Sequence, residues 1–264
     1  MTEPGFSTYL RAVLDASRDY FLFCGIAFVV FYVVLRRWLA TRKIAQTPTN
    51  LRAPLAEIGR TLVSNLFGKG PIILALAYLA YSGIIPRKLI YKDVAEHGWA
   101  YFALTILFDV LVFDLWFYLS HRFLWHTRFG YRHIHIVHHR SVDPTPFARN
   151  SLHPIEGAAN SIFQILPIFV MPHHPLAILI SSALKGLQGV IAHLGYEIYR
   201  SGFTRHWLGR YIVTPVHHHL HHAKNFQTHF SFLINWDRIF GTQVEGYDEA
   251  FEATVTRERP EVSP

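Results

Sequence analysis

The sequence predicts an all-α membrane protein: four to five transmembrane helices, with a helical cap that gathers histidines on one face. Three observations carry this reading. Hydrophobic residues make up 51% of the 264 residues and Asp, Glu, Lys and Arg only 16%, against about 25% charged in ordinary soluble domains. Four long apolar runs leave too little polar chain to cover them in water. Eighteen histidines are present, more than packing explains. Collagen-like and disulfide-scaffold readings fail on 16 Gly, 14 Pro and a lone Cys24, which sits in an apolar run and reads as a small buried hydrophobe. The net charge of +7 suits an anionic membrane surface. With this apolar composition, no nucleic-acid partner is expected.

The first run, Tyr20–Leu35, ends at Arg36 and Arg37. The nineteen residues before it are polar and mixed in charge, and no small-residue cleavage site follows, so it reads as an anchor. The second, Pro71–Pro86, is short and extends backwards into Leu66–Gly70. The third, Trp99–Ser120, carries Asp109 and Asp114. The fourth, Ala158–Gly195, is broken at Met171-Pro172-His173-His174-Pro175 and reads as a hairpin of 158–172 and 175–193. A span needs about 20 residues. Segment 36–70 holds Arg36, Arg37, Arg42, Lys43, Arg52, Arg60 and Lys69, which places it in the cytosol. Two further crossings bring His121 to the same side, and the hairpin returns the chain there. The chain divides into 1–69 (anchor and basic loop), 70–245 (the part that carries the histidine clusters) and 246–264 (a polar tail, loosely ordered).

The histidines cluster three times: His121 and His126; His135, His138 and His139; and His217-His218-His219 with His221-His222. The spacing HxxHH occurs twice, as His135/His138/His139 and His218/His221/His222. Residues i, i+3 and i+4 lie within about a 100° arc of a helix, so three imidazoles can converge. His217 with His221 is also an i, i+4 pair, but the match to the earlier cluster favours His218. His121 and His126 stand about 140° apart on an ideal helix and meet only where the helix ends or is distorted. Eight imidazoles exceed the four ligands of one tetrahedral zinc and suit two metal ions. His193, ending the last run, and His153 are further candidates. His173 and His174 fall at the hairpin tip on the far side. His97, His206 and His229 have no spacing partner.

Two divalent cations bring four positive charges that neutral imidazoles do not cancel, and ligand histidines usually donate their other N–H to a carboxylate or carbonyl. Asp109, Asp114, Asp143, Glu156, Glu197 and Asp237 are candidates. Asp114 and Glu156 are the two expected to support catalysis, Asp114 because it lies two turns before His121, about 20° away in azimuth.

Taken together, Asp114-Leu-Trp-Phe-Tyr118-Leu-Ser-His121-Arg122-x3-His126, His135-x2-His138-His139, His153-Pro-x-Glu156, Pro215-x2-His218-x2-His221-His222 and Trp236-Asp237-Arg238-Ile-Phe-Gly241-Thr242 resemble the sterol desaturase / fatty acid hydroxylase superfamily over roughly residues 70–245. The resemblance implies an integral membrane non-haem enzyme with two iron ions (Fe2+/Fe3+). Such an enzyme uses O2 to hydroxylate or desaturate a lipid, with electrons from a donor such as cytochrome b5 or a ferredoxin or flavodoxin. It lies in a bacterial inner membrane or the endoplasmic reticulum. Carried over, His121, His126, His135, His138, His139, His218, His221 and His222 are metal ligands and His193 the ninth. One departure is Thr228-His229-Phe230-Ser231, where many relatives have Asn-Tyr-Gly or Asn-Tyr-Ser. The lipid stays open among sterols, acyl chains, ether lipids, aminolipids and carotenoids. Two rival readings are a membrane zinc hydrolase, which lacks an HExxH motif here, and a metal transporter or sensor, which needs ligands through the membrane depth.

Overall fold

A computed structural model describes residues 3–48, 50–224 and 228–258. Among the described residues, four helices are long and apolar enough to cross a membrane: α1 (Phe6–Val34), α2 (Arg52–Tyr81), α3 (Gly98–Trp125) and, after shorter elements, α6 (Pro175–Ala192). Between α3 and α6 lie a short helical segment over 128–139 (α4) and α5 (Pro154–Ile165). Helices α7 (Pro215–Lys224), α8 (Trp236–Phe240) and α9 (Tyr247–Val255) follow. At about 1.5 Å per residue, the 18 residues of α6 cover roughly 27 Å, close to a hydrocarbon core.

Helices α1 and α2 start well before their apolar runs. Residues 6–19 form the first turns of α1, and α2 runs unbroken from Arg52 through residue 69. The reason is an inverted pattern. On α2 the polar Glu57, Thr61, Ser64 and Asn65 are buried, while Leu55, Leu62, Val63 and Phe67 face outward. In lipid the protein-facing stripe carries the polar groups, so an apolar-run reading sees only half of such a helix. Tyr20 and Cys24 on α1 pack with Phe147, Val190 and Leu194, which bears out Cys24 as a buried hydrophobe. The hairpin forms as expected, but its first arm, α5, has only 12 residues, so four helices rather than five qualify as spans.

The hairpin tip closes the end remote from the histidine clusters. His173 exchanges backbone hydrogen bonds with Leu89 and Tyr91, in the loop between α2 and α3. Asp109 belongs to this end. It accepts from His173 Nε2 at 2.9 Å and from Ser181 Oγ at 2.9 Å. The expectation that Asp109 serves a ligand histidine is therefore corrected, because it faces the tip.

At the opposite end the chain builds the cap. Ile44 N donates to the Gly195 carbonyl and Glu197 N to the Arg42 carbonyl, so the basic segment after α1 lies beside the exit of α6. The tail is more ordered than its composition suggests. Tyr247 and Phe251, one turn apart, bury α9 against Val216 and Val244. Polar residues on its outer face mask that pair. Residues 259–264 of the expected tail lie outside the described residues.

Candidate metal centre

Helix α3 does not end at Ser120 but widens into a π turn over His121–Trp125, closed by His126 N donating to the His121 carbonyl at 2.8 Å. An i→i+5 turn stacks residues five apart, which removes the 140° conflict. The two rings stand 5.8 Å apart, centroid to centroid. The Thr127 hydroxyl caps the next turn by accepting from Gly130 N at 3.1 Å. A Cβ at Gly130 would stand 1.9 Å from the Leu124 carbonyl oxygen, so this tight return needs glycine. A second π turn, Tyr131–His135, then leads into His138 and His139.

All nine predicted histidines come together, and all are buried. His126, His135, His139 and His221 offer ligand nitrogens within 4.8 Å of one another, and so do His138, His193, His218 and His222. A further group joins His121, His135 and Glu156. The His121 ring lies 4.7 Å from His135 and 5.5 Å from His221, beside the first group. The two groups adjoin, with His139 and His222 rings 4.9 Å apart. The triads do not each converge on one point, as the spacing suggested. The i, i+4 pair His135/His139 serves the first group and His138 the second. The pair His218/His222 serves the second and His221 the first. Helices α4 and α7 thus face each other, each straddling both groups.

The second ring nitrogens of five of these histidines are tethered. Nδ1 donates to the Phe117 carbonyl from His121 (2.7 Å), to Gly189 from His193 (2.7 Å), to Thr228 from His221 (3.0 Å) and to Ser151 from His138 (3.4 Å). His135 Nδ1 donates to both Glu156 oxygens at 3.0 Å. This fixes the tautomer and turns Nε2 inward. The Nε2 atoms of His121 and His221 are buried with no hydrogen-bond partner, a costly state for an imidazole that binds nothing. Nε2 atoms approach to 3.1 Å (His135/His139), 3.0 Å (His218/His222) and 2.7 Å (His193/His218). Two nitrogens bound at right angles to one ion, each about 2.1 Å away, lie about 3.0 Å apart. The donor set therefore fits a pair of metal ions. Burial, then mutual repulsion, pushes the proton affinity of His138, His218, His221 and His222 well below the usual imidazole range. Burial pushes His193 down to about 4.

Of the expected acids, Glu156 alone touches a clustered imidazole. Asp114 departs from expectation, because its neighbour His121 is satisfied by a carbonyl. Asp114 instead accepts from Phe232 N (3.1 Å), Leu233 N (2.9 Å), Ile234 N (3.0 Å) and Trp236 Nε1 (2.9 Å). Asp237 gathers the neighbouring stretch, accepting from His229 N (3.0 Å), Phe230 N (2.8 Å) and the Thr228 hydroxyl (2.6 Å). Phe230, at φ +50°, lays its ring 3.8 Å from His218. Glu197 accepts from Val216 N at 3.1 Å and steadies the start of α7. Asp143 pairs with Lys43. Asp114, Asp237 and Glu197 position backbone rather than ligands.

Among the other histidines, His217 sits outside both groups, its Nε2 3.5 Å from Asp237. His153 caps α5, its Nδ1 accepting from Ile155 N. His229 stands beside His126, rings 5.9 Å apart, without joining a group. The carbonyl acceptors of Phe117, Ser151, Gly189 and Thr228 escaped the sequence reading, because a backbone oxygen leaves no signature in residue type.

A family model described as "Fatty acid hydroxylase" matches residues 106–242, just over half of the chain and all nine clustered histidines. The chain belongs to the fatty acid hydroxylase family. Relatives of this family member include a Delta(7)-sterol 5(6)-desaturase from Gibberella zeae, 28% identical over 68% of this chain and 55% of the relative. Lathosterol oxidase from Rattus norvegicus is 30% identical over 58% of the chain and 50% of the relative. Sphinganine C4-monooxygenase 2 from Arabidopsis thaliana is 25% identical over 85% and 88%. The chain spans about half the length of the first two. No solved structure matches the family member.

Proposed function

We propose that this family member is an integral membrane oxidoreductase that uses O2 to hydroxylate or desaturate a lipid. The observation that carries the reading is the pair of adjoining four-histidine groups, buried and without thiolates, at one end of a bundle of membrane-length helices. His126, His135, His139 and His221, with His121 beside them, would hold one iron, and His138, His193, His218 and His222 the other. Iron held there supplies the activation of O2 needed to attack an unactivated C–H bond. The chain's own part is to position. Glu156 holds the His135 imidazole in one tautomer. The rings of Phe113, Phe117, Phe230 and Phe232 line one side of the approach to His193 and present it with an apolar surface.

The basic residues beside the cap favour a cytosolic orientation by the positive-inside rule, in a bacterial inner membrane or the endoplasmic reticulum. That face is where an acidic electron donor such as cytochrome b5, a ferredoxin or a flavodoxin would dock. Relatives named as desaturases, an oxidase and monooxygenases support the lipid reading. A zinc hydrolase needs far fewer nitrogen donors.

The test is metal analysis of the purified protein with O2 uptake, and lipid mass spectrometry under 18O2 with and without the gene. Two irons per chain and a labelled product, or a product short of two hydrogens, are expected. Stoichiometric zinc with no O2 uptake would refute the reading. His193→Ala should cost iron, whereas His153→Ala should not.

A further inference from the structure

Beside His193 lies a cavity of about 780 Å³, open mouth included, walled on one side by Phe113, Phe117, Phe230 and Phe232. Its other wall is cationic: Lys69 from α2, Arg149 from the loop before α5, and Lys185 from α6. No Asp or Glu lines it. Lys185 is only 5% exposed and lies over the Phe113 ring, 5.2 Å from its centroid. The Arg149 side chain lies flat on α6, where a Cβ at Gly189 would stand 3.0 Å from its Nε and one at Gly186 3.2 Å from an Nη. Two glycines one turn apart open the space for that guanidinium.

Among the described residues, none of the three cations forms an ion pair. Asp19 is within electrostatic reach of Lys69 and Arg149, and Asp109 of Lys185. Asp19, however, is held by Arg18, and Asp109 by His173 and Ser181. Cations at membrane depth are expensive and mark a functional site with a partner. Arg149 meets the Cys24 thiol, which is not an anion, so the three cations converge with no anion bound among them.

The cavity continues past Lys69, Arg149 and Gln164 into a second chamber whose lining includes Asp15 and Asp19, both held by Arg18, and whose apolar wall of Ile73, Ile165, Ile168 and Leu179 suits an alkyl chain. We infer that this cavity binds a lipid bearing an anionic group, a carboxylate or a phosphate, held by Lys69, Arg149 and Lys185. This inference rests on the proposed lipid oxidation and names its substrate class. Gly189 and Lys185 precede His193 by four and eight residues, about 6 and 12 Å along the helix. The anion's grip therefore fixes which carbon faces the clustered imidazoles, within roughly that distance of the anionic group.

The test is equilibrium binding to the full-length protein in phosphatidylcholine nanodiscs, with iron content recorded for each sample. The probes are dodecanoate, dodecyl phosphate, dodecanol and inorganic phosphate. Either dodecyl anion, or both, should bind at least tenfold tighter than dodecanol. Lys69→Met with Lys185→Met should erase that preference and leave dodecanol within about twofold, while Arg149→Lys retains most of it. Equal affinity for dodecanol and both anions in the unaltered protein overturns the inference. So does a preference that survives the double substitution, or inorganic phosphate binding as tightly as dodecyl phosphate, which would mark a site for a soluble anion. Binding is read without turnover, so an inactive protein that prefers the anions refutes the oxygenase reading alone. Oxidation of a neutral lipid with no anion preference refutes only the substrate class.

Discussion

Asp114→Asn separates a structural acid from a ligand partner. Each carboxylate oxygen of Asp114 accepts two hydrogen bonds, Oδ1 from Phe232 N and Leu233 N and Oδ2 from Ile234 N and Trp236 Nε1. The residue is fully buried. Asparagine has one oxygen and one NH2, so two of the four donors must face a donor. Bonds to a charged acceptor are worth about 1.5–3 kcal/mol each, so the variant loses about 3–6 kcal/mol. At about 2–4 °C per kcal/mol for chains of comparable size, the thermal midpoint in detergent should fall by roughly 6–24 °C. The loop so loosened adjoins Phe230, against the His218 ring, and Thr228, whose carbonyl holds His221. Iron per folded chain should fall as well. Asp109→Asn is the control: equally internal to α3, it should lower the midpoint and leave iron content intact. A midpoint within about 2 °C of the parent with full iron in Asp114→Asn would refute the reasoning. So would equal iron loss in the two variants.

Glu156→Gln keeps an acceptor for His135 Nδ1 but removes its charge, and iron affinity in a chelator competition should drop about 10–100-fold. Gly130→Ala forces a Cβ against the Leu124 carbonyl, in the turn joining His126 to His135. Overpacking costs about 1–3 kcal/mol, and the variant should show a lowered midpoint with iron loss. Acidification should release iron late. Unfolded imidazoles titrate near 6.5, but burial holds His193 down to about 4 and the clustered imidazoles of α4 and α7 below their usual range. Their depressed folded values mean that the unfolded chain takes up protons first. The histidines' share of the metal-free stability should thus be level above about pH 6.5 and fall from there towards pH 4. Chemical denaturation at stepped pH and iron analysis after dialysis check both statements.

The sequence carried the helical membrane class and picked out the nine histidines that the fold gathers, because spacing and apolar runs are properties of residue order. It placed His173 and His174 at the remote end for the same reason. It misjudged the start of α2, because a buried polar stripe backed by lipid-facing leucines looks like a loop when only apolar runs are counted. It also misjudged α9, whose polar face hides Tyr247 and Phe251.

How the histidines are shared out was a tertiary decision. Each HxxHH triad contributes to both groups because α4 and α7 face each other across them, and His121 meets His126 only because a π turn adds a residue to the last turn of α3. Asp109 and Asp114 sit five residues apart on one helix, about 7.5 Å along its axis, yet Asp114 binds the cap loop and Asp109 the hairpin tip. Residue order names which groups are able to ligate. Only the packing of one helix end against another, through backbone carbonyls that no residue type announces, determines where each imidazole points.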